Sequence, residues 1–405
     1  MLNADRIKEQ AYSLGFDLVR ITTTQPFSDA EQTIKERINM GLFDGLSWFT
    51  PERAEVSCDP TALLPQAQSI ISLAMFYLVR QPDPPASDLP HGLISRYAWG
   101  DDYHDLIKPK LQQFAEWLRQ LAGQELGQEA ETRLFVDTGR MVDRAVAQRS
   151  GLGWYGKNTN ILTRGWGSWV FLAEIVTNLP IQADEPLKAN CGNCEVCLHA
   201  CPTGALPAPY VLDMTRCISY LTIELRGSIP IELRPLIGNL IYGCDICQQV
   251  CPVNKVAEKR LGLRPSIEPG GRHSHEQNSL IQIQRRPEFQ PRPYTGSTPE
   301  LIPLLDLTEE EFREKFKRSP IKRTKRRGFL RNVCVALGNS GDLRAVPALT
   351  KALSDVEPLI RGHAAWALGR LRGEEALAAL KNALAGEINE EVKQEIQQAL
   401  EMFAN

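Results

Sequence analysis

Eight of the ten cysteines lie between residues 191 and 251, and their spacing constrains this chain more than any other feature. The first run is Cys191-x-x-Cys194-x-x-Cys197-x-x-x-Cys201-Pro202. The second is Cys244-x-x-Cys247-x-x-x-Cys251-Pro252, with Cys217 upstream of it. This is the pattern of two-cluster ferredoxins, in which the fourth cysteine of a run ligates the other cluster. Three thiolates at this spacing bend round one face of an iron–sulfur cubane, and the proline directs the chain away. The expected wiring puts Cys191, Cys194, Cys197 and Cys251 on one [4Fe-4S] cluster. Cys201, Cys217, Cys244 and Cys247 hold the other, with Cys217 replacing the missing first cysteine of the second run. Structural zinc would need four ligands per site and no interlaced Cys-Pro ends. Disulfides would need an oxidising compartment. The expected chemistry is one-electron transfer.

A length of 405 residues suggests two or three domains. The net charge of −3 does not mark a nucleic-acid binder, so any such contact must come from a local patch. The N-terminus lacks the apolar core of a signal peptide, and no window approaches the roughly 20 apolar residues of a membrane span. The expectation is a cytoplasmic protein.

Residues 1–185 alternate helical and strand patterns. Strands are expected at 16–22, 69–78, 133–137 and 168–177, the last of them central. Helices are expected over 3–14, 106–121 and 139–150. Residues 186–255 carry the cysteines. A Pro-rich stretch without periodicity follows, including Pro265, Pro269, Pro287, Pro291, Pro293 and Pro299. Beyond it, Leu337-Gly338 recurs as Leu368-Gly369 and Ala348-Leu349 as Ala379-Leu380, a shift of 31 residues in both cases. A weaker third unit runs through Val392, Ile396 and Leu400. This is a helix-pair repeat of HEAT-like type, an architecture that offers an extended binding surface.

Just before the repeat, Lys315, Lys317, Arg318, Lys322, Arg323, Lys325, Arg326, Arg327 and Arg331 lie within 17 residues that contain no acid. Such density suits phosphate binding, and with the repeat it makes a cradle for folded RNA, which is read by shape and backbone. Arg361 and Arg370 extend it. The bland alternative is a solvated linker.

Clusters carry electrons but do little organic chemistry, so the N-terminal core should hold the reacting centre. Its densest motifs are VDTG at 136–139, DRAVA at 143–147 and a glycine-rich stretch from Gly151 to Gly167. Glycines at this density suit backbone pressed against a large flat ligand, or simply tight turns. Asp137 ends an expected strand, where it is either a proton donor or the N-cap of the next helix. His104 lies in Asp-x-His-x-x-Ile, which lacks the glycine that a cobalt-ligating histidine motif would carry, and reads as a helix-start residue. Neither a P-loop nor a dinucleotide-binding glycine fingerprint is present.

Taken together, CGNCEVCLHACPTGAL (191–206), RCISYLT (216–222), YGCDICQQVCPVNK (242–255), VDTG, GWYGKNT (153–159) and WGDDYHD (99–105) resemble the epoxyqueuosine reductases of tRNA modification. The resemblance covers almost the whole chain. It implies a cobalamin bound without a protein histidine on cobalt, in a core related to reductive dehalogenases. It implies electrons passed from the clusters to the corrin, and an epoxide on the wobble base of tRNA reduced to an alkene with loss of water. The proton donor becomes Asp137. The corrin contacts become Ser95, Arg96, Tyr97, Ile161, Leu172, Val176, Ser219 and Asp245, and the tRNA contacts fall among Lys322, Arg323, Lys325 and Arg326. One departure is at 53–60, where Ser57 and Cys58 stand where relatives carry an arginine.

The expected architecture is a multidomain α+β protein. It has an N-terminal α/β cobalamin-binding core at 1–185, a ferredoxin-like two-cluster unit at 186–255, a packed linker at 256–314, and a basic collar with HEAT-like repeats at 315–405. The expected protein is a monomer that takes electrons from a donor. The rival readings are a reductive dehalogenase of a small organohalide and a ferredoxin-type electron-transfer protein.

Overall fold

The computed structural model describes residues 2–80, 82, 86–260, 286–292 and 296–404. Pro265, Pro269 and Pro293, part of the expected linker, lie outside them.

Four strands form the N-terminal sheet: β1 (Leu18–Thr23), β2 (Ser69–Phe76), β3 (Thr132–Phe135) and β4 (Val170–Thr177). Their order is β1-β2-β4-β3, and every neighbouring pair is antiparallel. This corrects the α/β label for the core. An α/β sheet is built of parallel strands through crossover helices, whereas here the packing is α+β throughout. β4 is central, and both β2 and β4 are largely buried, which explains their near-continuous apolar sequences.

Alternation along β4 divides the sheet into two faces. Phe171, Ala173 and Ile175 join the main core with α1 (Ala4–Ser13) and α2 (Tyr103–Leu126). Val170 and Leu172 pack on the other side with Ala147 and Ile161, and Val176 packs with Val146 and Phe27. Helix α3 (Asp143–Arg149) covers that second face. Asp102 caps α2 by accepting from the backbone of His104, so His104 is a helix-start residue.

The cysteine-rich unit carries short helices at Val196–Ala200, Ile218–Ile223 and Ile246–Gln249. After it, Phe289 is buried 5.6 Å from Phe171, centroid to centroid, and Arg286 pairs with Asp17 at 2.8 Å.

The C-terminal unit stacks α4 (Lys325–Ser340), α5 (Val346–Ala352), α6 (Pro358–Leu371), α7 (Glu374–Gly386) and α8 (Glu390–Glu401). The repeated glycines explain the repeat. A Cβ at Gly338 would come within 2.8 Å of the Trp366 ring, and one at Gly369 within 2.9 Å of Ala399. Each glycine lets one helix lie close against its counterpart in the next unit. The stack is pinned to the cysteine-rich unit by buried polar groups. The Arg331 guanidinium donates to the carbonyls of Leu221, Leu225 and Gly227, and Asn332 donates to those of Thr222 and Ile241. Among the described residues, no helix is long and apolar enough to cross a membrane.

Candidate active site

A cavity of about 390 Å³ lies between the sheet and the cysteine-rich unit, a size typical of small-molecule sites. Cys201, Cys217, Cys244 and Cys247 line one side. Tyr103, Asp137, Asp143, Phe171 and Leu172 line the other.

None of the ten cysteines is in a disulfide. The eight in the cysteine-rich unit fall into two electrostatic neighbourhoods. Burial raises the Cys197 thiol, and Cys251, Cys191 and Cys194 raise it further. Burial likewise raises Cys251, with Cys191 and Cys194 as its charged neighbours. Cys244 is pushed up to about 12 by burial, with Cys217 and Cys201 adding to it. Cys247 is raised by burial and then by Cys244 and Cys217. Thiolates this buried need a cationic partner, which cluster iron supplies. Among the described residues no three His, Cys, Asp or Glu side chains converge tightly enough for a single metal ion. A four-iron cluster spreads its ligands wider than one ion does.

The expected corrin contacts divide. Ser95, Tyr97, Ile161, Leu172, Ser219 and Asp245 line the cavity. Val176 does not: it is fully buried, four residues beyond Leu172, or about 13 Å along the strand. Arg96 lines an adjoining cavity of about 260 Å³, which shares Ser95 and Asp245 with the first, and stacks over Trp169 at 5.0 Å. Asp245 is tied to the sheet side of the site. It accepts from the Ser95 hydroxyl at 2.6 Å and from the Arg96 backbone at 2.7 Å. Burial raises its carboxyl against the pull of those bonds. Ser57 and Cys58 are buried away from the cavity.

Asp137 lies two residues past the end of β3, in the left-handed region at φ 51°. It is not a helix cap, because α3 starts only at Asp143. Its carboxylate accepts from the Tyr103 hydroxyl at 2.5 Å. Asp137 is exposed at the cavity rim, since the loop turns outward after buried Val136. The glycine-rich stretch is explained by protein packing. A Cβ at Gly151 would strike the Glu185 carbonyl at 2.2 Å, and one at Gly167 the Asn254 amide at 1.9 Å. This stretch brings Asn158, Thr159, Asn160 and Ile161 to the cavity, and the Asn160 amide lies 3.9 Å from the Cys247 sulfur.

The basic collar is largely neutralised from elsewhere in the chain. Arg326 makes a fork on Asp355, at 2.5 and 3.1 Å, and donates to the Leu307 carbonyl. Arg331 is fully buried, and Arg361 makes a fork on Glu387. Arg326 and Arg361 thus brace the repeat internally, and Arg331 pins it to the cysteine-rich unit. Arg318 pairs with Asp101, Lys322 with Asp102 at 3.0 Å and Arg323 with Glu224 at 3.4 Å. Lys325 is exposed. Arg323 also lines the cavity, close enough to feel the charge of Asp137.

Sequence reasoning quoted Tyr103 and Asp143 inside motifs without giving them a role, and missed Glu174. Only Glu174 carried a signal, as the one acid in an otherwise apolar central strand.

This arrangement defines an iron–sulfur oxidoreductase whose cluster-binding cysteines open onto a cavity with a carboxylate at its rim. Three family models match the chain: "Epoxyqueuosine reductase QueG, DUF1730" over residues 58–138, a 4Fe-4S double cluster binding domain over 190–254, and HEAT repeats over 326–401. The epoxyqueuosine reductase of Bacillus subtilis (strain 168) is 37% identical over 99% of this chain and 97% of its own length. That of Escherichia coli (strain K12) is 36% identical over 91% of this chain and 89% of its own. A crystal structure of an epoxyqueuosine reductase with an epoxyqueuosine-modified tRNA-Tyr stem loop superposes at TM-score 0.85, with 36% identity, over 99% of this chain and 98% of that one. A Bacillus subtilis structure with an aspartate-bearing catalytic loop swung out of the active site gives 0.84, at 36% identity, covering 98% of each chain. The chain belongs to the epoxyqueuosine reductase family.

Proposed function

We propose that this protein reduces epoxyqueuosine to queuosine at the wobble position of tRNA, in the cavity between the sheet and the cysteine-rich unit. The observation that carries this reading is that four cluster cysteines and the Tyr103–Asp137 pair open onto one cavity. Two [4Fe-4S] clusters are wired across the cysteine runs. Cys191, Cys194, Cys197 and Cys251 hold the outer cluster. Cys201, Cys217, Cys244 and Cys247 hold the one beside the cavity, and the Asn160 amide near Cys247 tunes its potential.

The residues present fit a cobalamin. Ile161, Val170, Leu172 and Leu206 give apolar walls, and Ser95, Asn158, Ser168 and Ser219 give hydrogen-bonding groups. No histidine lines the cavity among the described residues, which suits a corrin held without one. Bound there, cobalamin would supply low-potential reducing chemistry. Asp137 delivers a proton where charge develops on the leaving oxygen. Tyr103 orients its carboxyl. Arg323 lines the cavity, with exposed Lys322 and Lys325 close to it in the chain, and these would meet phosphates of the anticodon stem loop. The same segment reaches the site through Arg323, so RNA docking and catalysis share one face. The protein acts as a monomer with an external electron donor.

The test is turnover of a tRNA stem loop carrying epoxyqueuosine by anaerobically reconstituted protein with cobalamin and a chemical reductant. Queuosine should form. Full cluster loading without any epoxide reduction would reject the reading in favour of simple electron transfer.

A further inference from the structure

One pair of acids lies outside the mechanism above. Glu174 is fully buried in β4, and neither of its carboxyl oxygens has a conventional hydrogen-bond donor. Asp143 starts α3, which packs on β4, and its own Oδ1 is also buried without a hydrogen-bond partner. Buried carboxyls with no donor to hold a negative charge favour the protonated form. Ser72 faces Glu174 across the β2–β4 ladder, and its buried hydroxyl is also unpartnered. Asp143 lines the catalytic cavity, as Asp137 does.

The reaction sets a demand that one acid cannot meet. Converting an epoxide to an alkene and water takes two electrons and two protons per turnover. The clusters and the bound cofactor deliver the electrons. Asp137 holds one proton at most, and bound tRNA would cover its exposed face. We propose that Asp143 and Glu174 share one buried proton and serve as the internal reserve that reloads Asp137 during turnover. This rests on the reading of the site as an epoxyqueuosine reductase. The pair acts through Asp137, so both are positioning residues for its proton.

The surroundings support this. Burial, helped by the charge of Asp137, raises Asp143 to about 7 against Glu174 and Arg144, which lower it. Burial holds Glu174 well above the usual carboxylate range, and Asp143 and Asp137 add to that. The other charged or titratable groups facing the pair are Tyr155, which feels Asp143, Arg20, across Ser72 on β1, and Arg133, opposite Val176 on β3. The pair therefore holds its proton up to about neutral pH and can release it there.

The test uses reconstituted full-length protein and the epoxyqueuosine stem loop, with kcat and KM measured across the pH range. Wild-type kcat should fall as pH rises above about 7. Glu174→Gln keeps the shape, and its amide favours the Asp143 carboxylate. It should lower kcat at least ~10-fold, a smaller effect than loss of a direct general acid, leave KM unchanged, and move the alkaline fall to lower pH. Asp143→Asn should lower kcat similarly, and it carries the comparison if Glu174→Gln does not fold. Variants that melt earlier but keep the wild-type kcat and pH profile make the pair structural and overturn the proposal. A wild-type protein that fails to turn over the stem loop overturns the functional reading, and this proposal with it.

Discussion

The two walls of the cavity are built in opposite ways. The electron wall comes from residues 201–247, with Cys201, Cys244 and Cys247 at the ends of two local runs and Cys217 between them. The proton wall draws Tyr103 from the start of α2, Asp137 from a loop, Asp143 from α3 and Glu174 from the central strand. A cluster ligand needs only to reach a shared inorganic centre, so spacing along the chain nearly suffices to identify it. A proton donor is made by what lies beside it, and in this protein those neighbours are remote in sequence.

The strongest way to break this comparison is to attack the electron wall. Cys201→Ser should empty the cluster served by Cys217, Cys244 and Cys247, lower iron from about eight to about four atoms per chain, and abolish turnover. Cys251→Ser should instead empty the cluster of Cys191, Cys194 and Cys197. Iron counts with electron paramagnetic resonance decide it. If each run loses only its own cluster, the wiring is not interlaced.

On the proton wall, Asp137→Asn should slow epoxide reduction at least ~100-fold with both clusters and cobalamin still bound. Asparagine tolerates the left-handed backbone found there, so the fold should survive. Near-normal turnover would remove Asp137 from the proton path.

The basic collar sharpens the contrast, because there the local run of sequence misleads. Neutralising Lys322 and Lys325 should raise the KM for tRNA a few-fold and flatten its dependence on salt. Arg326→Ala should act on stability instead. It strands Asp355 in a half-closed pocket where each side chain is little more than a tenth exposed. Breaking such a pair costs about 3 kcal/mol, visible in denaturant melts. An Arg326 variant that melts normally but loses tRNA would return it to the RNA face.

The smallest effect concerns pH and stability. Asp143 is raised from 3.8 to about 7 in the folded chain. Between those values the folded protein keeps a proton that the unfolded chain has released. The contribution of Asp143 is thus full below about 3.8 and is lost as pH rises through about 7. The melting temperature of Glu174→Gln should fall less than that of wild type across this window. Parallel curves would mean the pair shares no proton.

Much of the site could be read directly from the chain. The cysteine runs, the helix start at His104, the central strand and the helical repeat are all local patterns, and each has a local physical cause. Asp137 was legible as an acid after a strand. Its exposure and its bond from Tyr103 were not, because both depend on where the loop turns after Val136. The glycine-rich stretch was legible as close packing but not as to its partner, which proved to be protein at Glu185 and Asn254.

By itself the sequence determined the chemistry of the cluster ligands and the repeat, since bond-length geometry and helical periodicity act over a few residues. Only the tertiary structure decided which charges are spent. The 17 residues from 315 to 331 hold no acid, yet Asp101, Asp102, Glu224 and Asp355 reach them from elsewhere in the chain. Likewise, only the packing of α3 on β4 brings Asp143 to Glu174 and makes two ordinary carboxylates compete for one proton. Coulomb forces and desolvation depend on distance in space, and sequence separation does not report it.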